Sequence, residues 1–213
     1  MKAIIIGATG ATGKDLLDTT ISDPDYREVA IFVRRSTGIT HSKLTEVLTD
    51  FDNLKDVSGQ IHGDVLFSCL GTTLKAAGSK EKQRHIDYEI PLEFAQIARR
   101  NGVPKMVLLS AYGASPDSNV FYSRLKGELE EEIKKLAFEN LIIFKPGLLL
   151  RKNSDRFGEN ASASMLRFFN GLGLFKKFRP MPTKILAEKL SEAPKTAKNK
   201  VTVVSLDEIF HFT

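Results

Sequence analysis

Met1-Lys2-Ala3-Ile4-Ile5-Ile6-Gly7-Ala8-Thr9-Gly10-Ala11-Thr12-Gly13-Lys14-Asp15-Leu16-Leu17 opens the chain, and the order of these residue types decides the fold. An apolar run of strand length meets three glycines spaced by two residues, and a helix-compatible stretch follows. The pattern reads as strand, tight turn, helix. A turn without side chains lets the backbone approach a pyrophosphate closely. The helix opening after Gly10 then offers free N–H groups and the positive end of its dipole. Gly7, Thr9, Gly10, Ala11, Thr12 and Gly13 are therefore candidate contacts of a dinucleotide phosphate. The alternative is an ordinary glycine-rich strand-to-helix turn.

Outward from that turn, apolar runs alternate with helical patterns. Strands are expected at residues 2–6, 28–33, 45–48 (the weakest), 64–69, 105–109, 141–145 and 201–204. Continuous β-branched runs suit strands covered on both faces, which implies a parallel sheet. Helices are expected at about 13–21, 80–100 and 121–138, the last carrying Leu125, Leu129, Ile133 and Leu136 at helical spacing. The alternation argues for a doubly wound, Rossmann-type α/β fold in one domain spanning 1–213. Residues 147–182 show no clear strand and read as a small substrate-side lobe, within a stretch reaching to about 200. Glu192–Lys200 is polar and reads as a surface loop.

Length and composition narrow the function classes. A chain of 213 residues with 42% hydrophobic and 27% charged residues can fill one α/β domain. The net charge of +5 is spread along the chain, which suits an anionic ligand and lacks the concentrated basic stripe of a nucleic-acid binder. One cysteine, Cys69, leaves no internal disulfide or cysteine-based zinc site, and the four histidines show no metal-ligand spacing. The N-terminal apolar run is too short for a signal peptide and no segment approaches a bilayer span, so a cytoplasmic location is expected.

In an open α/β sheet, ligands bind beyond the carboxyl ends of the strands. Those ends carry Gly7, Arg34-Arg35, Leu70-Gly71-Thr72-Thr73, Ser110 and Pro146-Gly147, a convergence of glycines, hydroxyls and cations. Arg34 and Arg35 stand where a carboxylate would accept the ribose hydroxyls of NAD. Guanidinium suits a 2′-phosphate, so NADP(H) is expected over NAD(H), unless both arginines are solvent-facing surface charge.

Tyr122 and Lys126 share one helix face at i and i+4. A phenol with an ordinary pKa of about 10 is a poor acid or base near neutrality. A neighbouring ammonium stabilises the phenolate, and the same lysine can hold the cofactor ribose. Ser110, at a strand end, can orient a substrate carbonyl by hydrogen bonding. Of the four tyrosines, only Tyr122 is followed by lysine four residues on.

With these residues placed, the chain resembles the short-chain dehydrogenase/reductase superfamily, in its atypical, epimerase-like branch. The glycines match Gly7, Gly10 and Gly13, and the Ser, Tyr and Lys match Ser110, Tyr122 and Lys126. Cys69-Leu70-Gly71-Thr72-Thr73, Leu108-Leu109-Ser110-Ala111-Tyr112-Gly113-Ala114 and Phe144-Lys145-Pro146-Gly147-Leu148-Leu149-Leu150 are similar to the Tat-interacting-protein type of oxidoreductase. The resemblance implies an NADP(H)-binding domain in which Thr72 and Thr73 approach the cofactor and Leu148 and Leu149 lie near the nicotinamide, beside Pro146. Two departures stand out. Asp87 occupies the place of a frequent superfamily asparagine and could instead be a plain helix-surface carboxylate. The residues after Pro146 look too few for the large substrate domain of a sugar-nucleotide epimerase.

The expected function is hydride transfer between NADP(H) and a small carbonyl or alcohol. An NADP(H)-binding regulator or sensor and a nucleotide-sugar epimerase or dehydratase are the alternatives. A homodimer or protein partner stays open. Residues 165–179 mix aromatics with cations and could be a lid, a dimer contact, a membrane-surface patch or a lobe packed on the sheet. Lys75, Lys80, Lys82 and Arg84 flank the Gly71 loop as phosphate attractors or as a solvated basic loop. Cys69 reads as a buried small residue rather than a nucleophile.

Overall fold

The computed structural model describes residues 1–150 and 179–212. Seven parallel strands form one sheet in the order β3-β2-β1-β4-β5-β6-β9. They are β1 (Lys2–Ile6), β2 (Glu28–Val33), β3 (Leu44–Leu48), β4 (Val65–Ser68), β5 (Lys105–Leu109), β6 (Asn140–Lys145) and β9 (Val201–Ser205). The doubly wound sheet expected from the apolar runs is present. Strand order reverses direction between β1 and β4, the topological switch point where such sheets take ligands.

Both faces of the sheet are covered, as its continuous apolar strands require. Along β1, Ile4 and Ile6 join one core and Ala3 and Ile5 the other, the alternation of a strand buried on both sides. Helix α1 (Ala11–Ser22) buries Leu16 and Leu17 with Leu186 and Leu190 of α6 (Thr183–Thr196) on one face. Helices α4 (Ile90–Arg100) and α5 (Phe121–Lys135) bury Phe94, Ile97, Leu129 and Ile133 on the other.

Four local departures from the sequence reading have physical causes. The helical stretch 80–100 is divided into α3 (Lys80–Arg84), a π-helical turn (His85–Glu89) and α4, with the short α2 (Leu74–Ala77) before it. Pro91 has no N–H to give the Asp87 carbonyl, and the Ile90 N–H instead reaches back five residues to His85. The helix expected to reach 138 ends at Lys135, with Ala137 at φ 54. Glu192–Lys200 is not one loop, because α6 continues to Thr196 with Pro194 inside its last turn. Finally, residues 147–182 do contain strand. β7 (Leu149–Leu150) pairs with β8 (Met181–Pro182), while most of the aromatic and basic segment 165–179 lies outside the described residues. A short α7 (Glu208–His211) closes the described chain.

Candidate cofactor and catalytic site

The glycine turn is built for close backbone approach. Gly7 has φ +82, and a Cβ there would stand 2.6 Å from the Cys69 carbonyl carbon. A Cβ on Gly13 would meet the Gly7 carbonyl oxygen at 2.1 Å, so α1 can seat against the end of β1 only through glycine. The Gly10 N–H donates to Gly7 O at 2.9 Å and Lys14 N–H to Gly10 O at 2.8 Å. Gly10, the N-cap of α1, makes no side-chain cap, and the first turn holds no acidic residue. The helix N-terminus thus retains unsatisfied donors and positive dipole at the switch point, a donor set that fits a pyrophosphate.

That turn forms one wall of a cleft of about 710 Å³. Gly10, Ala11, Thr12, Leu70, Gly71, Thr72, Thr73, Ser110, Tyr122, Lys126 and Leu149 all line it. Of the remaining expected residues, Gly7 and Gly13 shape the turn from behind, while Thr9, Pro146 and Leu148 are not on this wall. Leu74, Gln83, Val120 and Phe121 also line it and were not singled out from sequence. For Leu74, Val120 and Phe121 the signal was adjacency, since Leu74 follows Thr73 and Val120-Phe121 precede Tyr122. Leu74 and Val120 are largely exposed, which gives the cleft an apolar mouth.

At the cleft floor two buried charges face each other. Lys126 is 3% exposed and donates to Leu70 O at 3.4 Å. Asp87, presented by the π-helical turn, is fully buried rather than on a helix surface. Its Oδ1 accepts the Thr72 N–H at 2.6 Å, and its Oδ2 has no hydrogen-bond partner among the described residues. Both groups flank Gly71, where a Cβ would lie 3.7 Å from Lys126 Nζ and 3.8 Å from Asp87 Oδ1. Burial pushes the Lys126 ammonium below its ordinary pKa, and the Asp87 carboxylate opposes that fall. Burial pushes Asp87 up, and Lys126 pulls it back. Each charge offsets part of the other's desolvation.

Ser110 lines the cleft but directs its proton elsewhere. Its Oγ donates to Glu130 Oε1 at 2.5 Å, and Glu130 Oε2 meets Lys145 Nζ at 2.7 Å. Glu130, 3% exposed, continues the i+4 series Tyr122–Lys126 by one more turn, a signal the sequence reading did not use. The hydroxyl expected to orient a substrate carbonyl hydrogen-bonds Glu130 in this structure. The Cys69 thiol is pushed up to about 12 by burial, an unreactive state for a group on the cleft wall.

Arg34 lies on the wall of a second cleft, of about 560 Å³, with Lys82, Asp50, Asp52 and His85. Arg35 is exposed and lines neither cleft. His85 bridges Glu89 at 2.9 Å and Asp52 at 2.7 Å. Its pKa is raised by the Glu89 hydrogen bond, with Asp52 adding to it against partial burial. Among the described residues no group of His, Cys, Asp or Glu could hold a metal ion, and no helix is long and apolar enough to cross a membrane.

A parallel sheet with a glycine cradle at its switch point defines a Rossmann-type nucleotide-binding fold. Residues 7–145 match the NAD(P)H-binding family model, and the chain belongs to that family. Protein FMP52, mitochondrial, of Saccharomyces cerevisiae is 35% identical over 172 residues, covering 78% of this chain and 74% of the relative. The Candida albicans protein of the same name is 33% identical over 188 residues, covering 85% and 82%. Among solved structures, MoeE5 in complex with UDP-glucose and NAD superposes with TM-score 0.74 at 12% identity, over 98% of this chain and 79% of that one. UDP-glucose 4-epimerase of Thermus thermophilus in complex with NAD gives 0.71 at 13%, over 99% and 81%. These likenesses show the fold.

The cytoplasmic expectation is overturned, because the relatives from S. cerevisiae, C. albicans and Aspergillus terreus are named as mitochondrial proteins. The sequence test behind that expectation looked for an apolar secretory signal. Mitochondrial transit peptides are amphipathic and Arg-rich, so that test does not bear on them.

Proposed function

We propose that the protein is an NADP(H)-dependent oxidoreductase acting on a small carbonyl or alcohol, with Tyr122 as general acid/base and Lys126 as the group that tunes it. The observation that carries this reading is the buried Lys126, one helical turn from Tyr122, charge-compensated by Asp87 and facing the glycine cradle across one cleft. A pure binding protein could use Lys126 to hold the ribose but has no need of an acid/base pair with Tyr122. The dinucleotide, when bound, supplies or accepts the hydride at its nicotinamide ring. The α1 N-terminus would hold its pyrophosphate, and Lys126 its ribose. Tyr122 would give or take the proton at the substrate oxygen, while the apolar mouth of Leu74 and Val120 limits water. The relatives' names make the mitochondrion the compartment we assign.

Arg34 is the residue we assign to a 2′-phosphate, because β2 ends in Arg34-Arg35 and Arg34 lines a cleft with Lys82, although Asp50 and Asp52 share that wall. Losing a charge-assisted contact of this kind is expected to weaken NADPH binding about ten- to hundredfold. Fluorescence titration of Arg34→Ala should show that loss for NADPH and little change for NADH. Equal losses for both would remove Arg34 from this role.

Asp87→Asn tests the charge pair. Asparagine still accepts from the Thr72 N–H but no longer supports the Lys126 charge, so Lys126 falls further below its ordinary value, and activity that needs its ammonium is expected to be lost at lower pH on the alkaline side of the profile. A pH–rate profile identical to that of the unsubstituted protein would show that Asp87 has no such influence. The reading as a whole is tested by NADPH oxidation against aldehydes, ketones and quinones, where turnover of one class supports it. Tight NADPH binding without turnover of any would favour the sensor.

A further inference from the structure

Ser110 has one proton, and the Glu130 carboxylate is the acceptor placed to take it. The hydroxyl donates to Glu130 Oε1, and Glu130 cannot turn away because its other oxygen holds Lys145 Nζ. Lys145 is itself fixed by Ala114 O at 3.3 Å. Ser110 and Glu130 are buried, at 6% and 3% exposure. A serine whose proton is committed to a carboxylate offers only lone pairs in its other directions. Ser110 nevertheless lines the cleft beside Tyr122 and Lys126.

We propose that Glu130, anchored by Lys145, is a positioning residue that makes Ser110 a hydrogen-bond acceptor toward the cleft, so that the site selects substrates bringing a hydroxyl or N–H donor over bare carbonyl compounds. The substrate preference rests on the oxidoreductase reading above; the serine's polarity does not. A bare ketone placed against Ser110 sets carbonyl oxygen against lone pairs, whereas a hydroxy-ketone donates to them. Tyr122 remains the proton donor to the reacting oxygen in either case.

Glu130→Gln reverses the polarity at nearly constant shape. The Lys145 ammonium has no acceptor, so it takes the carboxamide oxygen and leaves the NH2 facing Ser110. Ser110 then accepts from Gln and turns its own proton into the cleft. In the unsubstituted, NADPH-loaded protein, 2-hydroxyacetophenone is expected to bind roughly tenfold more tightly than acetophenone, the value of one neutral hydrogen bond. That ratio should fall to near one, or invert, in Glu130→Gln, and collapse in Ser110→Ala with no further effect of Glu130→Gln in that background. A ratio near one in the unsubstituted protein, or one that survives Glu130→Gln, overturns the proposal.

A second readout needs neither turnover nor cofactor. The Ser110 hydroxyl proton, buried against a carboxylate, should give a slowly exchanging downfield proton resonance that disappears in both Ser110→Ala and Glu130→Gln. Its absence from the unsubstituted protein overturns the proposal. Should neither ketone bind, the substrate preference falls with that reading, and the resonance alone decides the role of Glu130. A purely structural Glu130 would change stability without moving the ketone ratio.

Discussion

Tyr122→Phe is expected to lower turnover by about 10²–10⁴-fold, the usual contribution of a positioned proton donor, while leaving NADPH affinity almost unchanged. The substitution removes one oxygen at the cleft and keeps the ring. Helix α5 is held by Leu125, Leu129 and Ile133, all buried, so the fold does not depend on the phenol. Tyr122 is 37% exposed and lines the cleft. Lys126→Met should lower turnover as well and also weaken NADPH binding, because the proposed function gives that side chain both the phenolate to support and the ribose to hold. The contrast between the two variants, read as separate KM and kcat values, separates proton transfer from binding. Unchanged turnover in Tyr122→Phe would remove the phenol from the chemistry altogether.

Gly13→Ala is expected to have the largest effect on the cofactor site. Its Cβ would be placed 2.1 Å from Gly7 O, 2.8 Å from the Gly7 carbonyl carbon and 3.0 Å from Ala8 Cα, all of them backbone atoms. Nothing flexible can yield there, so α1 must move away from the end of β1. The N–H groups proposed to hold a pyrophosphate move with it. Overpacking of this kind costs about 1–3 kcal/mol in stability. NADPH affinity should fall by roughly a hundredfold or more, since the displaced donors act together. Gly59→Ala is the matched control, because a Cβ there meets nothing within 4 Å and should change neither melting temperature nor affinity. Equal behaviour of the two variants, measured by thermal unfolding and NADPH titration, would contradict the close-packed turn.

The parts of the fold that were readable in the sequence share one cause. Strands β1, β2, β4, β5 and β6 are continuous apolar runs because helices cover both of their faces, and such runs stand out without any partner being known. Helix α6 was missed because Pro194 and the polar residues around it read locally as a loop. Leu186, Ala187, Leu190 and Ala193 are nevertheless buried against the sheet at helical spacing. The same division runs through the site. Glycines, hydroxyls and the Tyr-Lys pair have spacings that carry their chemistry, and most of them line one cleft. Asp87 and Glu130 act through residues distant in sequence, Asp87 on Thr72 and Glu130 on Ser110 and Lys145, and a single chain does not display those contacts. The π-helical turn that carries Asp87 does have a local trace in Pro91, which denies the Asp87 carbonyl its α-helical donor.

The most direct test of the proposed chemistry is transfer of deuterium from NADPH labelled at the nicotinamide C4 position. The purified protein is incubated with that cofactor and a set of aldehydes and ketones, and each product is isolated for mass and NMR analysis. Deuterium bonded to a product carbon, at a level abolished by Tyr122→Phe, is the predicted result. Saturable NADPH binding with no deuterium transferred to any compound would contradict it and identify the cleft as a cofactor sensor.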